Sequence, residues 1–379
     1  MTNIEPMADS DITSPQRITR LTPLGSVLAL IEARAGAVKT QKRESALAQG
    51  CTLAEDVVVQ QLPRSSIALR DGFAVEAAAV ADASSYAPAP LASKPRRIDV
   101  GETMPDNADA VLPHDAVTLR GDHAEAIGAV TAGEGVLPAG GDAGPHAPLR
   151  RAGERLRGID IAVMRAVGIA EVMIRAPRIS IVHGAAASAP LIETVCAMLA
   201  RVVVDAGGVV FGRAKVLVAS LDYEQPDAVI AVGGTGSGQR DDSVQTLARY
   251  GHVEAHGIAI SPGETAAFGF VGTRPVLLVP GRLDTALALW LLIGRHLIVK
   301  LAGGSVDDMP VMLPLKRKVT STIGLSEVVP VNCIGGMAEP LASGYLSFTV
   351  LARSDGWILI PADSEGFAAG TPVAICPWP

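Results

Sequence analysis

Aromatic side chains make up only 3% of this 379-residue chain, which leaves little surface on which nucleobases could stack. Cationic excess is also missing. Lys and Arg number 32 against 39 Asp and Glu, a net charge of −7, and the densest basic cluster is Lys316-Arg317-Lys318. Together these exclude a nucleic-acid partner. The four cysteines (Cys51, Cys196, Cys333, Cys376) are scattered, with no CxxC pair. That argues against a disulfide framework or structural zinc and suits a reducing cytoplasm. No apolar run is long enough to cross a bilayer. The nearest, Ala286 to Ile293, stops at Gly294-Arg295-His296 and reads as a buried helix. No charged n-region with an apolar core opens the chain, and the polar stretch 1–15 is expected to be disordered. A cytoplasmic protein acting on a small molecule, with no membrane contact, is the remaining class.

Hydrophobic residues are plentiful at 49%, enough for several cores, and the length requires several domains. Helical spacing over Leu24 to Ala35 predicts a first helix, and Glu44 to Ala54 a second. Strand signals follow at Asp56 to Val59, with a turn from Pro63 to Phe73. Short strand signals between Pro, Gly and Asp fill 76–150 and indicate an all-β insert. From Pro177 the pattern becomes α/β: strands at 178–182, 214–219 and 228–232, helices at 190–206, 243–250 and 284–301. Strands alternating with helices predict a parallel sheet with ligands beyond the carboxyl ends of the strands. After Asp308 short strands return at 311–315, 345–351, 357–360 and 372–375.

The densest chemistry lies at Gly233-Gly234-Thr235-Gly236-Ser237-Gly238-Gln239-Arg240-Asp241-Asp242-Ser243, directly after the apolar strand 228–232. Glycines at 233, 234, 236 and 238 let a backbone bring its N–H groups onto an oxyanion. Thr235 and Ser237 add hydroxyls, Arg240 an anion fork, and Asp241 and Asp242 ligands for a hard cation. The two acids equally suit the start of the next helix. Arg282, after Pro280-Gly281 at a predicted helix start, is placed for an anion. His252 and His256 share a strand face without a third metal ligand, and His183 ends a strand near the loop.

The order of motifs from about Leu21 to Val373 resembles the molybdopterin molybdenumtransferase family, the MoeA and gephyrin E-domain group. Asp71-Gly72-Phe73-Ala74-Val75 resembles its Met-Asp-Gly-Tyr-Ala-Val segment, with Arg70 where Met is usual. Gly101-Glu102-Thr103-Met104-Pro105 through Ala108-Asp109-Ala110-Val111, Arg151-Ala152-Gly153-Glu154, Ser343-Gly344-Tyr345-Leu346 and Ala352-Arg353-Ser354-Asp355-Gly356 match further stretches in order. The glycine loop itself is worded more like the related adenylyltransferases, the Mog and gephyrin G-domain group.

The resemblance implies a multidomain α/β plus β protein. It would have a central three-layer α/β molybdopterin-binding domain (177–307) with a parallel-rich sheet. A linker domain (16–46 and 146–176), a β-rich insert (47–145) and a small C-terminal β-barrel-like domain (308–379) would surround it. It further implies Mg²⁺-dependent insertion of molybdate into adenylylated molybdopterin with AMP release, in a homodimer. Asp71 and Asp241 would be catalytic, with Asp241 and Asp242 on the metal. Gly233, Gly234, Thr235, Gly236, Ser237, Gly238, Arg240, Pro262, Gly263, Gly281, Arg282 and Thr285 would hold the ligand. The chain departs from the family at His256-Gly257-Ile258-Ala259-Ile260-Ser261-Pro262-Gly263-Glu264, where the pattern has lysines at 257, 261 and 264. A negative charge at Glu264 repels an oxyanion. The alternative is therefore a paralogue that binds molybdopterin or finished cofactor and delivers it to a client molybdoenzyme.

Overall fold

A computed structural model of the chain describes residues 16–91, 95–120, 123–146, 148–184, 190–212, 215–239, 241–306 and 309–379. The expected disorder at 1–15, and Arg240, lie outside the described residues. The chain forms two compact units: Asp56–Arg151, and the flanking chain up to Glu55 together with Ala152–Pro379.

The 56–151 unit is built of short strands, as its turn-rich sequence predicts. Gly72–Val75 lies between Arg96–Ile98 and Ala110–Leu112, and His123–Ala126 between Ala89–Leu91 and Val117–Arg120. Small and branched aliphatic side chains such as Val75, Val80, Ala110, Leu112 and Ala126 fill its core.

The larger unit opens with helix α1 (Leu24–Arg34), which buries Val27 and Ile31. Glu44 to Ala54 is not helical. Ser45–Leu47 makes one 3₁₀ turn, Gly50 adopts φ +80°, and Thr52–Leu53 pairs with Ile174 and Arg175. A left-handed glycine stops helix propagation, and pairing in the sheet satisfies the backbone instead.

The central sheet contains β1 (Arg178–His183), β2 (Val209–Val210), β3 (Ala228–Val232), β4 (His252–His256), β5 (Ala267–Val271) and β6 (Arg274–Val279). Their order is β2-β1-β3-β6-β5-β4. The first four run parallel; β5 joins β6, and β4 joins β5, by antiparallel pairing. Helices α2 (Pro190–Asp205), α3 (Leu217–Leu221), α4 (Ser243–Tyr250) and α5 (Leu283–Leu289) surround it. Alternate residues of β3 enter two cores. Ala228, Ile230 and Val232 pack with α1, α2 and α5, while Val229 and Ala231 pack with α3 and α4. A strand buried on both faces reads as the unbroken apolar run seen here.

Two expected strands are helices. Ala219 lies in α3, where Leu217 and Leu221, four apart, share one buried face, a helical rather than alternating period. Tyr345 to Leu351 leads into the helix Phe348–Arg353, whose first turn is capped by Ser347 Oγ accepting from Val350 N–H at 3.3 Å. The C-terminal sheet pairs Ser326–Ile334 with Gly356–Ile360 and, in parallel, with Ile260–Ser261. The segment after β4 therefore crosses from the central sheet into the C-terminal one.

Candidate functional site

Strands β3 and β6 are parallel neighbours, with Val232 opposite Val279. Their carboxyl ends open into Gly233 to Gly238 and into Pro280-Gly281-Arg282, side by side. Chain order reverses between β1 and β3, the position where open α/β sheets bind ligands. Close backbone approach explains the glycines. A Cβ on Gly281 would lie 3.7 Å from Gly233 Cα and 2.6 Å from the Ile192 side chain. Gly233 and Gly234 have φ +92° and +77°, a conformation that favours glycine.

The loop is held from several sides. Ser243, at the start of α4, donates its hydroxyl to Gly233 O (2.8 Å) and its N–H to Gly234 O (3.0 Å). Asp241 Oδ2 accepts from Gly238 N–H at 2.9 Å. A Cβ on Gly236 or Gly238 would lie 2.8 or 2.9 Å from that same oxygen, so the two glycines leave room for the carboxylate. Asp242 is the N-cap residue of α4 but makes no side-chain cap, and its Oδ1 is buried without a partner. Burial pushes its carboxyl above the ordinary value. Thr235 is buried, its hydroxyl 3.3 Å from that of Thr265.

Two residues that sequence reading left out of the site touch the loop directly. The Gln16 carboxamide donates to Gly234 O (3.0 Å) and Gly236 O (2.9 Å), and accepts from Val244 N–H (2.8 Å) and Gln245 N–H (3.2 Å). His256 Nε2 lies 3.1 Å from Thr235 O, which can only accept, so this nitrogen carries the hydrogen. His252, by contrast, is exposed, and a register shift separates the two histidines along β4. A separation of over two hundred residues hid Gln16, and no local spacing could have revealed it.

Arg282 forks onto Asp284, whose carboxylate is buried and also accepts from Leu346 N–H at 3.3 Å. The guanidinium lies over the Tyr345 ring, 4.7 Å from its centre. Hydrogen bonding to Asp284 holds the Arg282 pKa above its usual value. The cation is therefore largely balanced within the protein. Thr285 gives its hydroxyl hydrogen to Arg282 O (2.8 Å). Ser261, Pro262 and Gly263 are buried, and Glu264 accepts from Gly263 N–H at 3.1 Å.

Gly257 shows why one lysine of the pattern is absent. Its φ is +89°, and a Cβ would lie 2.5 Å from Ile18 Cγ2 and 3.1 Å from Leu21 Cδ2. The segment 16–22 runs across it, with Thr22 N–H on Gly257 O and Ala259 N–H on Thr22 O, both at 2.8 Å.

Asp71 lies in the 56–151 unit, where its carboxylate accepts from Val100 N–H at 2.8 Å. Arg70, beside it, is fixed to Val111 O and Glu134. Among the described residues, no three His, Cys, Asp or Glu side chains converge as a metal centre. Mg²⁺ is commonly held by one or two carboxylates, waters and substrate phosphates, and the orphaned Asp242 oxygen beside Asp241 fits that sparse donor set. No helix among the described residues is long and apolar enough to cross a membrane.

Comparison with known proteins fits this architecture. A model of the MoeA N-terminal region (domain I and II) matches residues 22–168, and one of the MoeA C-terminal region (domain IV) matches 312–378. A curated molybdopterin biosynthesis protein of Methanocaldococcus jannaschii is 35% identical over 148 residues, 38% of this chain and 34% of that protein. The chain thus spans about a third of that relative's length. The molybdopterin biosynthesis MoeA protein of Pyrococcus horikoshii superposes over 95% of this chain and 100% of its own, with a TM-score of 0.75 at 23% identity. A molybdenum cofactor biosynthesis protein of Pyrococcus furiosus does so over the same shares with a TM-score of 0.59 at 19% identity. These likenesses show the fold. With models of both its ends matched over more than half its length, the chain belongs to the MoeA family.

Proposed function

We propose that this protein acts in molybdenum cofactor biosynthesis, taking a phosphorylated molybdopterin, in its adenylylated form, at the loop 233–238. One observation supports this above the others. Among the described residues, the N–H groups of Gly234, Thr235, Gly236, Ser237 and Gln239 have no hydrogen-bond partner. A run of unpartnered amides on a glycine loop is suited to phosphate oxygens. Gly281, Arg282 and Thr285 follow the neighbouring strand end, and Pro262 and Gly263 are assigned to the ligand by family pattern. Asp241 and Asp242 would hold Mg²⁺, which when bound neutralises phosphate charge. Asp71 is assigned, by family pattern, to the hydrolytic step that releases AMP as molybdate is inserted.

A second reading is favoured by the charge around the loop. Arg282 is committed to Asp284, Glu264 adds a carboxylate, and Gly257 has no room for a lysine. Among the described residues the loop's surroundings are thus poor in cations, which suits binding and delivery to a client enzyme better than transition-state stabilisation. Incubation with adenylylated molybdopterin, Mg²⁺ and molybdate separates the two. AMP release that disappears in Asp241→Ala supports the transferase. Tight pterin binding with background AMP release selects the binder, and no pterin binding at all rejects both.

A further inference from the structure

We propose that Gln16 is a positioning residue of the loop, turning its amides toward the ligand. This deepens the reading of 233–238 as a phosphate site and rests on it.

In a planar trans peptide the C=O of one residue and the N–H of the next point in opposite directions. The peptides of this loop are trans. Gln16 Nε2 holds the carbonyls of Gly234 and Gly236, so the N–H groups of Thr235 and Ser237 face away from it. His256 Nε2 holds the intervening carbonyl of Thr235, which turns the Gly236 N–H away in the same manner. Three successive carbonyls are thus taken up by protein donors. The three amides paired with them carry no partner among the described residues. Glycine backbones would otherwise rotate freely between many such arrangements, so the orientation needs an external clamp.

Gln16 suits the task because its other atom is also committed. Its Oε1 accepts from the first-turn amides Val244 and Gln245 of α4, and the residue is only 6% exposed. One carboxamide therefore ties the loop to the helix that follows it. The first turn of α4 is satisfied by the protein itself, which leaves the loop amides, rather than the helix start, to meet an anion.

The test uses the full-length chain and AMP as probe, with calorimetry and backbone amide NMR. In the natural protein AMP should shift the Thr235 and Ser237 amide resonances. Gln16→Met keeps the volume but neither hydrogen-bonding group. It should bind AMP at least about tenfold more weakly, through the loss of oriented N–H contacts to a charged acceptor. Gln16→Glu keeps an acceptor for α4 and loses both donors. It should show the same loss in about 0.5 M salt, where the Debye length is roughly 4 Å, while Val244 and Gln245 keep their exchange protection. That pattern distinguishes orientation of the loop from capping of the helix, and it decides the matter should Gln16→Met fail to fold. AMP affinity equal to the natural protein's in either variant overturns the proposal and leaves the phosphate site standing. Tighter binding also overturns it, because Gln16 would then occupy the ligand's place. If the natural protein does not bind AMP and neither variant does, the phosphate site fails together with the proposal.

Discussion

Replacing Gly257 with lysine, the residue of the family pattern, should displace the segment 16–22 rather than restore a cation to the site. The structure supplies two costs. A side chain at φ +89° enters the left-handed region, at about 1–2 kcal/mol. A Cβ 2.5 Å from Ile18 Cγ2 and 3.1 Å from Leu21 Cδ2 adds overpacking of about 1–3 kcal/mol. If the segment stayed docked, the whole penalty would fall on global stability and lower the melting temperature by roughly 5–15 °C, at a few degrees per kcal/mol. Undocking caps that loss at whatever the segment contributes through Ile18, Leu21 and the two Thr22 hydrogen bonds. Trypsin reads the difference, since Arg17 and Arg20 lie within the segment. Much faster cleavage there, with a modest fall in melting temperature, is the expected result. A variant that melts like the natural protein and resists trypsin equally at both arginines would refute the packing argument.

Four other outcomes follow from the site. Asp242 has its pKa raised by burial, so it favours the fold while protonated, and that contribution is lost as pH rises through the raised value. Asp242→Asn should therefore raise the melting temperature at pH 7, the gain vanishing below about pH 4, and a pH series of thermal melts checks it. Gly236→Ala and Gly238→Ala should push the Asp241 carboxylate from its place and weaken AMP binding, seen by calorimetry, with little change in melting temperature. Arg282→Ala should cost about 1–3 kcal/mol in urea unfolding, because the buried Asp284 carboxylate keeps only the Leu346 N–H. Glu264→Lys should tighten AMP binding several-fold at low salt and lose that gain at high salt, as expected for an ion contact near the surface.

The elements most legible in the sequence were those whose pattern and packing agree. Ala228 to Val232 is a strand, and Ser243 to Tyr250 a helix, at the bounds their residues suggested. The misread segments were short, and in two of them one long-range or capping contact decided the outcome. Thr52 and Leu53 are strand because Ile174 and Arg175 lie beside them, and Phe348 starts a helix because Ser347 caps it. At the site, the glycine loop and its two acids could be recognised, since their chemistry is local. The commitment of Arg282 to Asp284 was written two residues away and still missed, because a neighbouring acid reads equally well as a helix start. Gln16 and His256 reach the loop only through the fold.

The path of residues 16–22 has a practical consequence for anyone preparing this protein. A recombinant boundary placed at Leu24, the first residue of helix α1, looks safe on secondary structure alone. Among the described residues, such a chain would retain every helix and every strand. It would nevertheless lack the carboxamide that fixes the loop and the two apolar side chains that cover Gly257. A weak ligand signal from that truncated material would report on the cut, not on the natural protein.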